Sequence, residues 1–334
     1  MIAEGIGLHL RVFGPDGVLR RSFGREGEGP GEFKAISLWT LQDGGFAVGD
    51  NWLNRITLFD ESGTVNAVRT GACRMRGGPS LSALGIPRCY FEGLTGDGTV
   101  FWSGTRESES MPILEPDVVL RYPGEVGFLA RDAEDSATMV DSVRRGTKVW
   151  IAESFPGGRL LHWIFQELFS SEGHWAFGPH SIAVGESSRF EVRLRDTTGQ
   201  LQRILRVVRA PDVVTEAHID EIRDVVGTSA SVMTEEIGLK YLDEVDARGV
   251  IPFFSELRFD LRGNLWIAEY VPDEMLVIAD ERRWIIFDDT AMPLARMTTG
   301  PLDDILEFGD DYLLVRERDE LDIERVALFR IERE

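Results

Sequence analysis

Basic charge is scarce in this 334-residue chain: 36 lysines and arginines face 57 aspartates and glutamates, a formal net charge of −21. That balance excludes a nucleic-acid backbone or an anionic membrane surface as partner, since both require a basic face and no basic run appears. Long apolar runs are lacking as well. None approaches the roughly 18 to 20 residues of a membrane span, so no transmembrane segment is expected. The opening MIAEGIGLHLRVF has no basic region ahead of an apolar one and thus no targeting signal of its own. Cysteine is limited to Cys73 and Cys89, a spacing that suits no metal site. In an oxidising compartment the pair could close a loop worth on the order of 3 kcal/mol, and two free thiols are the alternative. Catalytic signatures are missing too. There is no G-x-S-x-G elbow and no EF-hand loop, and His9, His162, His174, His180 and His218 show no ligand spacing.

What is present is β-type repetition. With 43 % hydrophobic residues the chain can bury a large core. GGFAVGDNWLNRITLFDESGTV (44–65) reads as strand, acidic turn, strand, Gly turn, strand. Near-copies are HSIAVGESSRFEVRLRDTTGQLQRIL (180–205), GNLWIAEYVPDEMLVIADERRWIIF (263–287) and DYLLVRERDELDIERVALFRI (311–331). The N-terminus is the same unit without its beginning, and GTVFWSGTRES (98–108) is a weaker copy. Short runs of β-branched, aromatic and aliphatic residues between Gly and Asp-Gly turns describe four-stranded antiparallel meanders. Several such sheets predict an all-β propeller, which protects its edges by radial closure. Six blades are counted over one domain, 1–334, with the first blade incomplete at the N-terminus. KVWIAES (148–154) so resembles LWIAEY (265–270) that seven blades are the alternative.

Aligned on the second strand, the repeats place Glu4, Asp50, Gly104, Glu186, Glu269 and Glu317 in register. These acids are expected to fix hairpins, either by pairing with an arginine such as Arg55 or Arg325 or by accepting amides of their own turn. Thirteen residues before the last five of them lie Ser37, Phe91, Gly173, Glu256 and Asp304, where each innermost strand should begin. The glycine-rich GREGEGPGEF (24–33) lacks the G-x-G-x-x-G order, and its glutamates would repel phosphate. It reads as a fixed blade-to-blade crossover with Phe33 plugging the seam. Segment 211–247 breaks the β pattern with apolar residues at helical spacing and is expected to be a helical insertion on one face.

FGREGEGPGEF, DNWLNRITLFDESG, FDLRGNLWIAE and YLLVRERDELDIERVALFRIER together resemble the NHL-type six-bladed β-propeller proteins that bacteria export. The resemblance implies a periplasmic or secreted protein, with lipid anchoring as one form, and is nearly silent about activity. If the first blade is a strand short because the chain begins inside it, a signal sequence has been lost upstream. The expectation is therefore a non-enzymatic, monomeric scaffold without cofactor, whose loops and central channel bind a protein or a small polar ligand. Glu256, Asp304, Ser37 and Arg88 are the candidate contacts, with Arg258 a second arginine partner for the carboxylates. The alternative is a hydrolase like the gluconolactonase group, with one divalent cation such as calcium in the channel.

Overall fold

The computed structural model describes all residues except 1, 5–7, 15, 71–87, 106–118, 123, 125, 134–135, 156–158, 229–234, 246–248, 273–280, 301–304, 319–320, 322 and 333–334. The first sheet is three-stranded: β1 (Ile2–Glu4), β2 (His9–Phe13) and β3 (Leu19–Phe23). A four-stranded meander follows, of β4 (Ser37–Thr40), β5 (Phe46–Asp50), β6 (Arg55–Phe59) and β7 (Val65–Thr70). Next come β8 (Arg88–Leu94), β9 (Val100–Thr105), β10 (Val119–Tyr122), β11 (Val126–Ala133), β12 (Ser136–Arg144), β13 (Lys148–Phe155) and β14 (Arg159–Gln166). These seven strands make two interleaved sheets, one in the order β8–β9–β11–β12 and the other β10–β13–β14.

A second four-stranded meander of consecutive strands holds β15 (Gly173–Phe177), β16 (Ser181–Glu186), β17 (Glu191–Asp196) and β18 (Leu201–Arg206). Helices α1 (Glu216–Thr228) and α2 (Glu235–Leu242) precede a third, of β19 (Glu256–Phe259), β20 (Leu265–Ala268), β21 (Arg282–Phe287) and β22 (Pro293–Thr299). The last sheet has three strands, β23 (Ile305–Phe308), β24 (Tyr312–Arg318) and β25 (Glu324–Arg330).

The burial of each strand follows its place in the stack. All residues of β5 (FAVGD) and β20 (LWIA) are buried, whereas most of β7, β18 and β22 is exposed. Middle strands are covered on both faces by neighbouring sheets, so their sequences are continuous apolar runs, and the outer strands can be polar. Five apolar seams join the sheets in turn. Leu10 meets Phe46 and Phe59 in the first, and Ile56 meets Phe91 and Trp102 in the second. Phe101 and Val143 meet Ile182 and Val184, then Val192 meets Leu257 and Ile267, and finally Trp266 and Trp284 meet Phe308. Thr40 of β4 donates to Glu307 of β23 at 3.0 Å, which brings the last sheet to the second. This succession of face-packed antiparallel meanders is a β-propeller.

The GREGEGPGEF loop is the crossover that its composition suggested. Phe33 has no exposed surface and packs among Leu10, Phe46, Val48 and Phe59, a burial worth about 2 to 3 kcal/mol. Gly24 has φ 88° and lies where a Cβ would meet the Leu8 carbonyl oxygen at 3.0 Å, so both backbone and space require glycine. The Arg55 side chain donates to the Glu28 carbonyl at 2.8 Å and to that of Glu32, pinning the loop. Asp50 instead accepts the amides of Lys34 and Leu53, at 2.7 and 3.0 Å. Among the other acids of that register, Glu317 takes Arg325 at 2.7 Å and Glu269 takes Arg283 at 3.4 Å.

KVWIAES does not start a further stacked meander. Its strand, β13, is the centre of the three-stranded sheet whose Val149, Ile151 and Phe165 pack on Ile222 and Val226 of α1 and on Ile237 and Tyr241 of α2. The sheets on either side in sequence meet each other directly: Gly96 donates to the Gly178 and Pro179 carbonyls, and Val143 lies within 2.1 Å of where a Cβ on Gly173 would sit. The β10–β13–β14 sheet and the helices therefore form one accessory layer with a core of its own.

Candidate functional site

A cavity of about 260 Å³ opens where β15 and β19 begin. The first strand contributes His174, and Glu172 just before it; the second contributes Glu256, preceded by Phe254 and Ser255. Arg282, the first residue of β21 and only 5 % exposed, and Ser187, just after β16, supply further polar wall. The accessory layer closes the remaining side through Gln166 at the end of β14 and Ser170 in the loop that follows.

That loop is held by two tyrosines from different elements. Tyr241 of α2 accepts the Leu168 amide at 2.8 Å, and Tyr270, beyond β20, accepts the Phe169 amide at 2.9 Å. Phe169 sits at φ 58°, a left-handed conformation that a bulky residue keeps only when its surroundings fix it. Burial pushes the Tyr241 hydroxyl well above its ordinary pKa, so it stays protonated. The propeller and the accessory layer thus build one wall together.

His174 is the chemically unusual member. Its side chain is 12 % exposed, and among the described residues Nε2 has no hydrogen-bond partner; the Glu172 carboxylate oxygen Oε1 is 3.9 Å away. That distance is too long for a hydrogen bond. Burial first, and the charge of Arg145 second, lower its pKa to about 4, so the ring is neutral at physiological pH. Arg145 is itself positioned by stacking over Trp175 at 4.4 Å, whose indole donates to Glu92 at 2.9 Å. A buried imidazole nitrogen without a partner offers a bond to whatever enters the cavity.

Of the candidate contacts, Glu256 lines this cavity, and Arg258 lies 3.2 Å from its carboxylate. That arginine is the partner expected for a structural carboxylate. Ser37 begins β4 as placed by the register, but it is exposed and stands apart from the cavity lining. Asp304 lies outside the described residues. Arg88 begins β8, with its side chain outside the described set, and the Cys73–Cys89 question falls outside it too. The 13-residue register did mark this place, at Gly173 and Glu256, yet the polar groups sit one residue either side of the glycine, at Glu172 and His174. Arg282 and Tyr270 carry no local signal. Among the described residues no group of three or more His, Cys, Asp or Glu side chains is placed to hold a metal ion.

No family model matches the chain, and no curated protein does. Solved structures similar in fold include a luciferin-regenerating enzyme, 12 % identical with a TM-score of 0.38, the match covering 97 % of this chain and 84 % of that one. The regucalcin of Agrobacterium tumefaciens, described as a calcium-binding protein, is 11 % identical with a TM-score of 0.34 over 85 % of this chain and 68 % of its own. The Dos1 propeller is 9 % identical with a TM-score of 0.27 over 92 % and 70 %. Scores at this level carry nothing about chemistry, and the propeller assignment stands on this chain's own sheet order.

Proposed function

We propose that this chain is an NHL-type, six-bladed propeller acting outside the cytoplasm as a binding scaffold. It would take a small neutral polyhydroxylated ligand in the cavity at the head of β15 and β19. The six blades are the sheets joined by the seams described above, with 211–247 and the β10–β13–β14 sheet as cover. The extracytoplasmic setting rests on the sequence resemblance.

The observation that carries the reading is His174 Nε2, buried on the cavity wall and without a hydrogen-bond partner among the described residues. A neutral imidazole can donate or accept, Ser170 and Ser187, whose oxygens accept the Thr147 and Glu172 amides, each keep a hydroxyl hydrogen to donate, and Ser255, which donates to the Glu269 carbonyl, keeps acceptor capacity. The volume falls just below the roughly 300 Å³ of drug-sized sites, which favours a small ligand. A second reading, hydrolysis assisted by a divalent cation such as calcium, is supported by Glu172 and Glu256 lining the same cavity. Arg258 beside Glu256 weighs against it, because its positive charge already offsets one carboxylate.

The test is thermal denaturation against a panel of neutral monosaccharides and polyols at millimolar concentration, with calcium chloride as a separate arm. A rise in Tm with one of the sugars or polyols that is lost in His174→Phe supports the scaffold reading. A rise with calcium that is lost in Glu256→Gln, with none from any sugar or polyol, overturns it in favour of the cation.

A further inference from the structure

The cavity lining is of two kinds. Glu172, His174 and Ser187, from the β15–β16 side, and Ser255 and Glu256, at the start of β19, are polar. Tyr270, Val271 and Pro272, three consecutive residues beyond β20, carry a single hydroxyl between them. That hydroxyl is engaged on the wall itself, where it accepts the Phe169 amide at 2.9 Å. The Phe169 ring lies against Tyr270 with centroids 6.0 Å apart, so the tyrosine is held at its tip and by an aromatic neighbour. Phe254, the other apolar residue of the lining, has no exposed surface, whereas Tyr270, Val271 and Pro272 are each half-buried. The apolar surface open to a ligand is therefore one short strip beside a polar wall. Such a strip favours a ligand that is itself apolar on one side.

We infer that the ligand is a hexose in its closed pyranose form, seated with a C–H face on the Tyr270–Pro272 strip and its hydroxyls towards His174 and the serines. This rests on the scaffold reading and narrows its ligand. A chair pyranose gathers axial C–H bonds on a face and sets equatorial hydroxyls around the rim, so it satisfies an apolar and a polar wall together. An open-chain polyol carries a hydroxyl on every carbon and must lay some of them on the strip without partners. The volume of about 260 Å³ suits one ring. Because Tyr270 is already held, stacking on it costs little further ordering.

Titration calorimetry on the intact chain tests this with methyl β-glucopyranoside and methyl β-galactopyranoside, whose rings cannot open, against the alditols sorbitol and galactitol. A pyranoside should bind about tenfold more tightly than its alditol. Val271→Thr keeps the side-chain shape and leaves Tyr270 in place, but adds a hydroxyl to the strip; it should narrow that preference about threefold. Saturation of the protein's aromatic protons should pass to the axial hydrogens of one face of the bound pyranoside over those of the other. Alditols that bind as tightly as pyranosides, a preference unchanged in Val271→Thr, or equal transfer to both faces would overturn the pyranose assignment and leave the scaffold reading standing. Binding of neither class would overturn both.

Discussion

Tyr241 and Tyr270 hold consecutive amides of one loop, those of Leu168 and Phe169, at 2.8 and 2.9 Å. One tyrosine comes from the accessory helices and the other from the propeller, so the cavity wall depends on the docking of two layers. Tyr241→Phe leaves a buried amide without its acceptor and should cost about 1 to 3 kcal/mol, measured by urea denaturation. The variant should also lose any ligand-induced rise in Tm, because Ser170 and Glu172 lie just beyond the loosened turn. A variant as stable as the parent would show that the loop is held by other contacts.

His174 predicts a pH dependence of stability. Its folded-state pKa is lowered to about 4, against an ordinary value of 6.5. The unfolded chain therefore binds the proton more readily, and the contribution of the neutral ring is complete above about pH 6.5. It is lost as pH falls towards 4. The loss should be about 3 kcal/mol. His174→Phe should flatten the stability profile between pH 6.5 and 4 relative to the parent, and an unchanged slope there would contradict the burial of the ring.

A second acid limb should appear at lower pH. Asp60, Asp196 and Asp288 close the β6–β7, β17–β18 and β21–β22 hairpins by accepting the hydroxyl of the residue two places on, together with turn amides. Those hydroxyl bonds, from Ser62, Thr198 and Thr290, are the first cause holding each carboxyl below its ordinary value. Stability from them is present above about pH 4 and is lost as the folded-state carboxylates take up protons. Replacing all three with asparagine should shrink this limb, to which Glu28, Glu32 and Asp97 also contribute, and leave the one due to His174 unchanged.

The buried hub Asp260 should be less forgiving. It accepts the Asn264 amide at 2.8 Å, the Asn264 side chain at 2.7 Å and the Trp266 indole at 3.2 Å. Asp260→Ala strands three buried donors and should cost at least about 3 kcal/mol by chemical denaturation. Phe33→Ala, which opens a cavity in the first seam, should cost about 3 to 5 kcal/mol by the same measurement.

The meanders, their hairpin acids and the crossover loop were legible in the sequence because each is written locally, in strand runs, Asp-Gly turns and a phenylalanine closing a glycine-rich run. The accessory sheet was not. KVWIAES and LWIAEY share strand propensity and burial, and what separates them is whether a neighbouring sheet or a helix pair covers them. That information lies about 70 to 90 residues away, in Ile222, Ile237 and Tyr241. The cavity was half legible: strand-start periodicity led to Gly173 and Glu256, but Arg282 and Tyr270 join them only once two sheets are packed.

The interleaving of β9, β10 and β11 limits how this molecule can be cut. The chain leaves one sheet after β9, lays down β10 in the accessory sheet, returns for β11 and β12, and departs again to β13. No single excision frees either sheet, so the two must be inherited, transplanted or deleted as one unit. The segment carrying α1 and α2 enters and leaves once, between β18 and β19, and could be removed as one piece. Its removal would bare the apolar face of a sheet that cannot itself be taken away.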